Sequence, residues 1–464
     1  MNTKAPDYRP DDKTAVIIGA AQYKESIPVD LSRAHGPVHM AAHAAEAALK
    51  DTNLKDADLR SLTAMIDTVF CVRTFGDSGM FFSCPFPTSQ NMPKAVAREV
   101  GIEARRHVYG VIGGNTPQSF VAEAVEAIEA GAAKAVLICG GEAIANMKTA
   151  MRADVSLDWS DAQDRNDLED RGDFAPDALP LISRSAEHHK LFAPLRYYSL
   201  MENARRAKQG LRREEYRRDI SSIMAGLLQT SKNNPLSVFS DVASDLNGLT
   251  QENPLFTDLY SKSILPKDGV NQGAALILTS YGHAIEIGID PRRFIYLCAH
   301  AEGSEPPLLQ RPELDKSTVL EACFREALDT ANIQAQDIGL RDLYSCFPIV
   351  LKESAAALGL NIYEDDLTLT GGLAFFGGPG NNYSLHGIAQ LVADLRNAQS
   401  SYGLVHANGG FMSKHAVGIY SRLPAKKGDK RFLRHIGEDS SVLEMAESAQ
   451  GKGWIDSYLS LIHI

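Results

Sequence analysis

The sequence predicts an α/β protein built from two similar α-β-α halves, stacked as a five-layered α-β-α-β-α body. Three observations carry that prediction. First, one construction occurs twice. Gly113-Gly114-Asn115-Thr116-Pro117-Gln118 feeds an alanine-rich helical stretch that ends at Gly131, then an apolar strand at residues 134–139 closed by Gly140-Gly141. Gly377-Gly378-Pro379-Gly380-Asn381-Asn382 feeds a second helical stretch that ends at Arg396, then a strand at 403–405 closed by Asn408-Gly409-Gly410. Second, the repeat extends upstream: a helical pattern at 40–54 precedes the apolar run 66–72, and one at 318–333 precedes 343–347. Third, a short apolar run opens each half, at 14–22 and at 294–299, as a buried strand does. Strands alternating with helical patterns imply a mostly parallel sheet with crossover helices.

In the first central helix Phe120, Val121, Ala124, Val125 and Ile128 recur at helical spacing, with Glu123, Glu126 and Glu129 opposite. Its alanines allow close packing on a sister helix, where Leu385, Ile388, Leu391, Val392 and Leu395 repeat the pattern. Residues 151–266 interrupt the scheme. The stretch 154–177 is acidic and proline-bounded, as expected of a loop excursion. The stretch 197–229 is helical in composition and locally basic, through Arg205, Arg206, Lys208, Arg212, Arg213, Arg217 and Arg218. That basic face reads either as a solvated helix surface or as a lid recognising a phosphorylated cofactor. Val270-Asn271-Gln272-Gly273-Ala274-Ala275-Leu276-Ile277-Leu278 then resumes the first half as its last strand. The expected organisation is therefore 14–150 and 268–290 for the first half, 151–267 as an insertion, 291–423 for the second half, and 424–464 as an extension. Residues 454–458 read as a strand without neighbours, so the extension is expected to be cut short and residues 459–464 poorly packed.

A chain of 464 residues with 44% apolar and 23% charged content buries large cores. Its net charge of −11 argues against nucleic acid or an anionic membrane as a partner. No apolar window approaches the ~20 residues of a membrane span, and the first residues carry no apolar signal region. The six cysteines form no CxxC pair, so a reduced, cytoplasmic setting is expected and no metal site is foreseen.

Each glycine turn enters a helix N-terminus, where free N–H groups and the positive dipole end stabilise an anionic intermediate of acyl transfer. These features together resemble the thiolase superfamily. The closest likeness is to thiolase-like proteins of the acetyl-CoA acetyltransferase kind, and a more distant one is to sterol-carrier-type thiolases. The resemblance rests on the duplicated halves, on Gly113–Gln118, on Gly371-Gly372-Leu373 followed by Gly377-Gly378-Pro379, and on the stretch 406–415. It implies an acyl relay run by a cysteine, an activating histidine and a second cysteine. Those positions fall here on Gly114, Gly378 and Asn408, so all three groups are missing, and glycine cannot accept an acyl group. The pair Cys346-Phe347, in Tyr344-Ser345-Cys346-Phe347, resembles the remaining oxyanion motif.

The residues left as catalytic candidates are His386, His415, Cys346 and Asn408. Gly114, Asn115, Tyr344, Asn381, Asn382 and Gly378 are the expected substrate-binding set. Each also has a plainer reading: Cys346 as a packed thiol, His386 in helix packing, and the asparagines as turn residues. Lys414 is expected to depress the basicity of His415 if the two are close. Cys84, in a loop, is a weaker candidate for a nucleophile reaching across a dimer. The resemblance implies an acyltransferase of lipid metabolism that binds acyl-CoA, with no cofactor beyond the coenzyme A of its substrate. The alternative is a non-catalytic acyl-CoA-binding or scaffold subunit of the same fold. A homodimer or tetramer, and a small β-barrel partner subunit, are further expectations.

Overall fold

A computed structural model describes residues 9–78, 83–162, 164–172, 182, 184–424, 431–437, 442–444, 455 and 457–459. Two mixed sheets form its frame. The first contains β1 (Ala15–Lys24), β2 (Ile66–Cys71), β3 (Arg106–Tyr109), β4 (Ala135–Ala143), β5 (Leu168–Asp170) and β6 (Asn271–Ser280), in the order β1-β6-β4-β2-β3-β5. The second contains β7 (Tyr296–Ser304), β8 (Ile338–Asp342), β9 (Tyr402–Gly409), β10 (Lys414–Ser421) and β11 (Phe432–Ile436), in the order β11-β7-β10-β9-β8. β2 runs parallel to β3 and β4, whereas β6 runs antiparallel to both β1 and β4.

Side-chain alternation sorts the strands between two cores. Val136, Ile138, Leu276 and Leu278 face an inner core, while Leu137, Cys139, Ala275 and Ile277 face an outer one. The inner core is the layer between the sheets. It holds helix Thr116–Glu129, through Phe120, Val121, Ala124, Val125 and Ile128, and helix Tyr383–Asn397, through Leu385, Ile388, Leu391, Val392 and Leu395. Val405, Tyr420 and Leu297 close it from the second sheet. Helix Pro37–Asp51 covers the outer face of the first sheet with Ala41, Ala44, Ala45 and Ala48. Helix Thr318–Ala331 covers the outer face of the second with Val319, Leu320, Cys323 and Phe324. The α-β-α-β-α order and the buried pair of central helices agree with the sequence reading.

Several details differ. The strand expected at 343–347 ends earlier, at Asp342, and 343–347 is a loop. Leu343 packs in the outer core while Tyr344, Cys346 and Phe347 line a cavity, which hydrophobicity alone cannot distinguish from a strand. The basic stretch is two helices, Pro194–Lys208 and Arg213–Asn233, separated at Gly210 with φ +66°. Its charges are largely spent on local acids: Arg205 on Glu353, Lys208 on Asp315, Arg212 on Glu215 and Arg213 on Asp258. Arg205 and Arg217 are only 14% and 17% exposed, so part of this face is paired and buried rather than solvated. Within the acidic excursion, Leu168–Asp170 pairs in parallel with β3 as an edge strand; residues 163 and 173–177 lie outside the described residues.

The tail also departs from expectation. Trp454, Asp456 and residues 460–464 lie outside the described residues, and Ile455, Ser457, Tyr458 and Leu459 form no strand. The Tyr458 hydroxyl accepts hydrogen bonds from Arg206 and Arg213, and the Ser457 hydroxyl donates to Leu200 O. Leu459 packs against the core rather than standing free of it. The described tail residues are held by the Arg206 and Arg213 side chains and the Leu200 carbonyl of the inserted helices. No helix among the described residues is long and apolar enough to cross a membrane.

Candidate functional site

The glycine turns, the loop after β8 and the β9–β10 hairpin converge on one cavity of about 290 Å³. Gly113 and Gly114 open it from the first central helix, and Gly378, Gly380 and Asn381 from the turn before the second. Tyr344, Cys346 and Phe347 arrive from the loop after β8; Asn408, Gly409, Gly410, Phe411 and Lys414 come from the hairpin. The inserted segment adds Pro194, Tyr198 and Pro266, and Asp268 follows just after it.

The space at Gly114 is already taken. A Cβ built there meets the Tyr344 hydroxyl oxygen and the Asn408 carbonyl oxygen, and lies 2.9 Å from Tyr344 Cζ. Tyr344 is fixed by edge-to-face packing on Tyr383, with ring centroids 5.4 Å apart. The Tyr383 hydroxyl in turn bonds the Thr370 hydroxyl at 2.7 Å. Asp342, at the end of β8, accepts from Thr368 Oγ1, Leu369 N and Thr370 N, which anchors the loop carrying Gly371 and Gly372. The glycine at 114 is therefore a fitted contact as well as a missing nucleophile.

Cys346 does lie in the cavity, where it accepts a hydrogen bond from Asn408 Nδ2 at 3.6 Å. Burial pushes its thiol up to about 12, although hydrogen bonds from Tyr198 and Asn408 pull the other way. It is a neutral thiol near pH 7, the wrong state for attack on a thioester. The Asn408 amide also donates to the Tyr198 hydroxyl at 3.1 Å, and Met412 N donates to the same oxygen at 2.9 Å. Tyr198 stacks on Phe347 with centroids 4.2 Å apart, so an inserted-helix residue clamps the hairpin to the loop after β8. Asn408 Oδ1 is buried with no hydrogen-bond partner.

The remaining expected residues divide into those on the wall and those behind it. Gly378 lines the cavity; a Cβ there would sit 3.3 Å from Lys267 O, so space for a larger side chain is tight. Asn381 lines it too, but its amide is fully engaged: Oδ1 accepts from Gly113 N at 3.1 Å, and Nδ2 donates to Arg73 O and Ser78 Oγ. It locks the two glycine turns together. Asn382 binds Gly140 O and Asn115 packs between Gly113 and Gly409, so neither is on the cavity wall.

Both histidines miss the cavity. His386 is fully buried and bonds Gln22 Oε1 of β1 at 3.0 Å; burial holds it at about 3. On β10 the parity of the strand decides: Lys414 faces the cavity and His415 the opposite side. There His415 Nε2 meets the Ser317 hydroxyl at 3.1 Å. Its basicity is depressed by burial first, then by His406 and Arg311, and not by Lys414 as expected. Cys84 lines a separate, smaller cavity with Asp77, Glu142 and Trp159.

Sequence reasoning missed Tyr198, Lys414, Asp268 and Phe411 on the wall, and Glu142 behind it. Burial lifts the Glu142 carboxyl to about 8; it accepts from Phe75 N at 2.6 Å and crowds Gly380. For Lys414 the alternation of β10 was the available signal. For Tyr198 no local pattern ties an inserted helix to a hairpin far along the chain.

Two stacked halves whose glycine turns meet at one cavity define a protein of the thiolase fold. No protein-family model matches this sequence, and no curated protein matches it. Among solved structures it is similar to a monomeric SCP2-thiolase like protein type 1 from Mycobacterium smegmatis, at 32% identity over 97% of this chain and 86% of that one, with a TM-score of 0.77. The chain belongs to the thiolase superfamily, among the thiolase-like proteins that lack the usual catalytic cysteines. The fold alone is shared with an Ltp2-ChsH2(DUF35) aldolase (17% identity, 88% of this chain, 98% of that one, TM-score 0.59). It is likewise shared with human mitochondrial 3-ketoacyl-CoA thiolase (14% identity, 88% and 98%, TM-score 0.61). The mycobacterial relative is described as monomeric, which corrects the expectation of a homodimer or tetramer.

Proposed function

We propose that this chain is a thiolase-fold protein that binds acyl-CoA thioesters in the Gly114 cavity without running the acyl relay, acting as a monomer in CoA-linked lipid metabolism. The observation that carries this reading is Tyr344 occupying the position of the missing nucleophilic side chain. An apolar pocket with a few converging polar groups suits an acyl thioester. Leu373, Phe347, Phe411 and Tyr198 offer apolar surface for the acyl chain, and Asn408 and Lys414 offer polar contacts to the thioester. The Cys346 thiol stands in for neither missing cysteine, because it is held neutral. All six cysteines are free, which supports a reduced, cytoplasmic setting.

Titration calorimetry with acetyl-CoA and longer acyl-CoAs tests the reading. The expected result is saturable binding at micromolar Kd or weaker, about −8 kcal/mol or less favourable, weakened about tenfold in Lys414→Gln. Absence of binding by every acyl-CoA at millimolar concentration would remove the proposal.

A further inference from the structure

Away from the cavity, the end of β1 and the start of helix Pro37–Asp51 gather three imidazoles around one carboxylate. Glu25 directly follows β1; His35 stands just before the helix; His39 and His43, four residues apart, share one helix face. Glu25 Oε2 lies 3.0 Å from His35 Nδ1 and 3.5 Å from His39 Nε2. One donor atom from each of Glu25, His35 and His39 falls within 4.8 Å of the others. The His35 and His39 rings stack with centroids 3.6 Å apart, and His43 meets His39 edge-on at 4.1 Å. Among the described residues Glu25 forms an ion pair with no lysine or arginine; its pairs are these two imidazoles.

Two of the three donor separations are close to those of a coordination shell. Zinc–nitrogen and zinc–oxygen bonds of about 2.1 Å at a tetrahedral centre place donor atoms roughly 3.4 Å apart, and the two observed separations bracket that figure. Two imidazoles with one carboxylate form a donor set suited to zinc-like ions, whereas magnesium and calcium prefer all-oxygen shells. His35 is half exposed, so an ion can reach the cluster from solvent. A groove of about 490 Å³ opens beside it, and Asp77, Glu99, Asp158 and Asp161 on its walls attract cations.

We propose that Glu25, His35 and His39 form a binding site for a divalent transition-metal ion, zinc in the first instance, with an open position towards this groove. His35, His39 and His43 recur every four residues in the sequence, but Glu25 joins them only through the fold. The ion ties β1 to the helix across residues 26–34, a segment that carries the exposed Ile27 and Val29. The site is independent of the acyl-CoA proposal.

Tag-free protein, stripped with a chelator, is titrated with zinc chloride by calorimetry and with cobalt chloride by visible absorption. The expected result is one ion per chain at micromolar Kd or tighter, a raised Tm, and cobalt d–d bands from nitrogen and oxygen ligands. His39→Gln and Glu25→Gln should each weaken zinc at least tenfold while keeping the metal-free Tm and circular dichroism; His386→Gln should leave zinc binding unchanged. If the ligand variants fail to fold, zinc protection of His35 and His39 from diethyl pyrocarbonate in the unmodified protein, mapped by mass spectrometry, decides instead. No saturable zinc binding by the unmodified protein, unaltered binding in a folded His39→Gln, or unprotected histidines would each overturn the proposal.

Discussion

The Tyr344 hydroxyl stands where a side chain at Gly114 would project, with Tyr344 Cζ only 2.9 Å from the position of such a Cβ. Losing a cysteine by substitution would leave a hole at a helix N-terminus. Here the hole is filled from the opposite half of the molecule, and Asn408 O closes the other side. The two halves are fitted to each other around the absence of a nucleophile.

Restoring the thiol should therefore cost stability and yield no activity. Gly114→Cys forces Tyr344 from its packing on Tyr383, an overpacking penalty of about 1–3 kcal/mol. Thermal unfolding should show a lowered Tm, and acetyl-CoA should leave no adduct. Adding Tyr344→Ala to Gly114→Cys should relieve the overlap and expose a thiol that iodoacetamide labels. A Gly114→Cys protein as stable as the parent and readily acetylated would show that the space is open.

Tyr198→Phe should loosen the cavity without unfolding the protein. Its hydroxyl accepts from both Asn408 Nδ2 and Met412 N, and its removal leaves Met412 N buried without that acceptor. A cost of about 1–3 kcal/mol is expected in urea unfolding, with weaker acyl-CoA binding. Unchanged stability would mean that the clamp between inserted helix and hairpin is not needed.

Buried neutral histidines set the acid side of the stability profile. Burial holds His386 and His406 at about 3, and His415 well below its ordinary value. In the unfolded chain each should ionise near pH 6.5. Because the unfolded state then binds more protons, stability is fully present above about pH 6.5 and declines as pH falls towards 3. The limiting slope is about 1.4 kcal/mol per pH unit for each group. Urea midpoints between pH 7 and pH 5 should fall accordingly, and His386→Gln should flatten the decline. A midpoint independent of pH across that range would contradict the burial of these imidazoles.

The fold was largely readable in the sequence, because its signals are periodic and repeated. Phe120, Val125 and Ile128, and their counterparts Leu385, Ile388 and Leu395, announce a paired buried helix by spacing alone. The cavity was partly readable, since Gly114, Tyr344, Cys346, Gly378, Asn381 and Asn408 sit in turns, loops or a strand end whose places follow from that architecture. His386 and His415 were misplaced because residue type suggested chemistry while strand parity and helix face decided direction. His415 is one residue from Lys414, and that single step moves a side chain to the other face of the sheet. The Glu25 cluster was missed although His35, His39 and His43 recur every four residues; what no spacing encodes is how the end of β1 brings Glu25 to them.

The central claim is that the cavity binds an acyl thioester and forms no acyl-enzyme. Intact-protein mass spectrometry after mixing with excess acetyl-CoA, read beside an assay of acetoacetyl-CoA cleavage, tests it most directly. Without the nucleophile and its base, only binding and oxyanion stabilisation remain to support turnover. The account predicts an unmodified mass and slow or undetectable cleavage. A stoichiometric acetyl adduct on Cys346 or Cys84, with rapid cleavage, would contradict it and show that the nucleophile had moved.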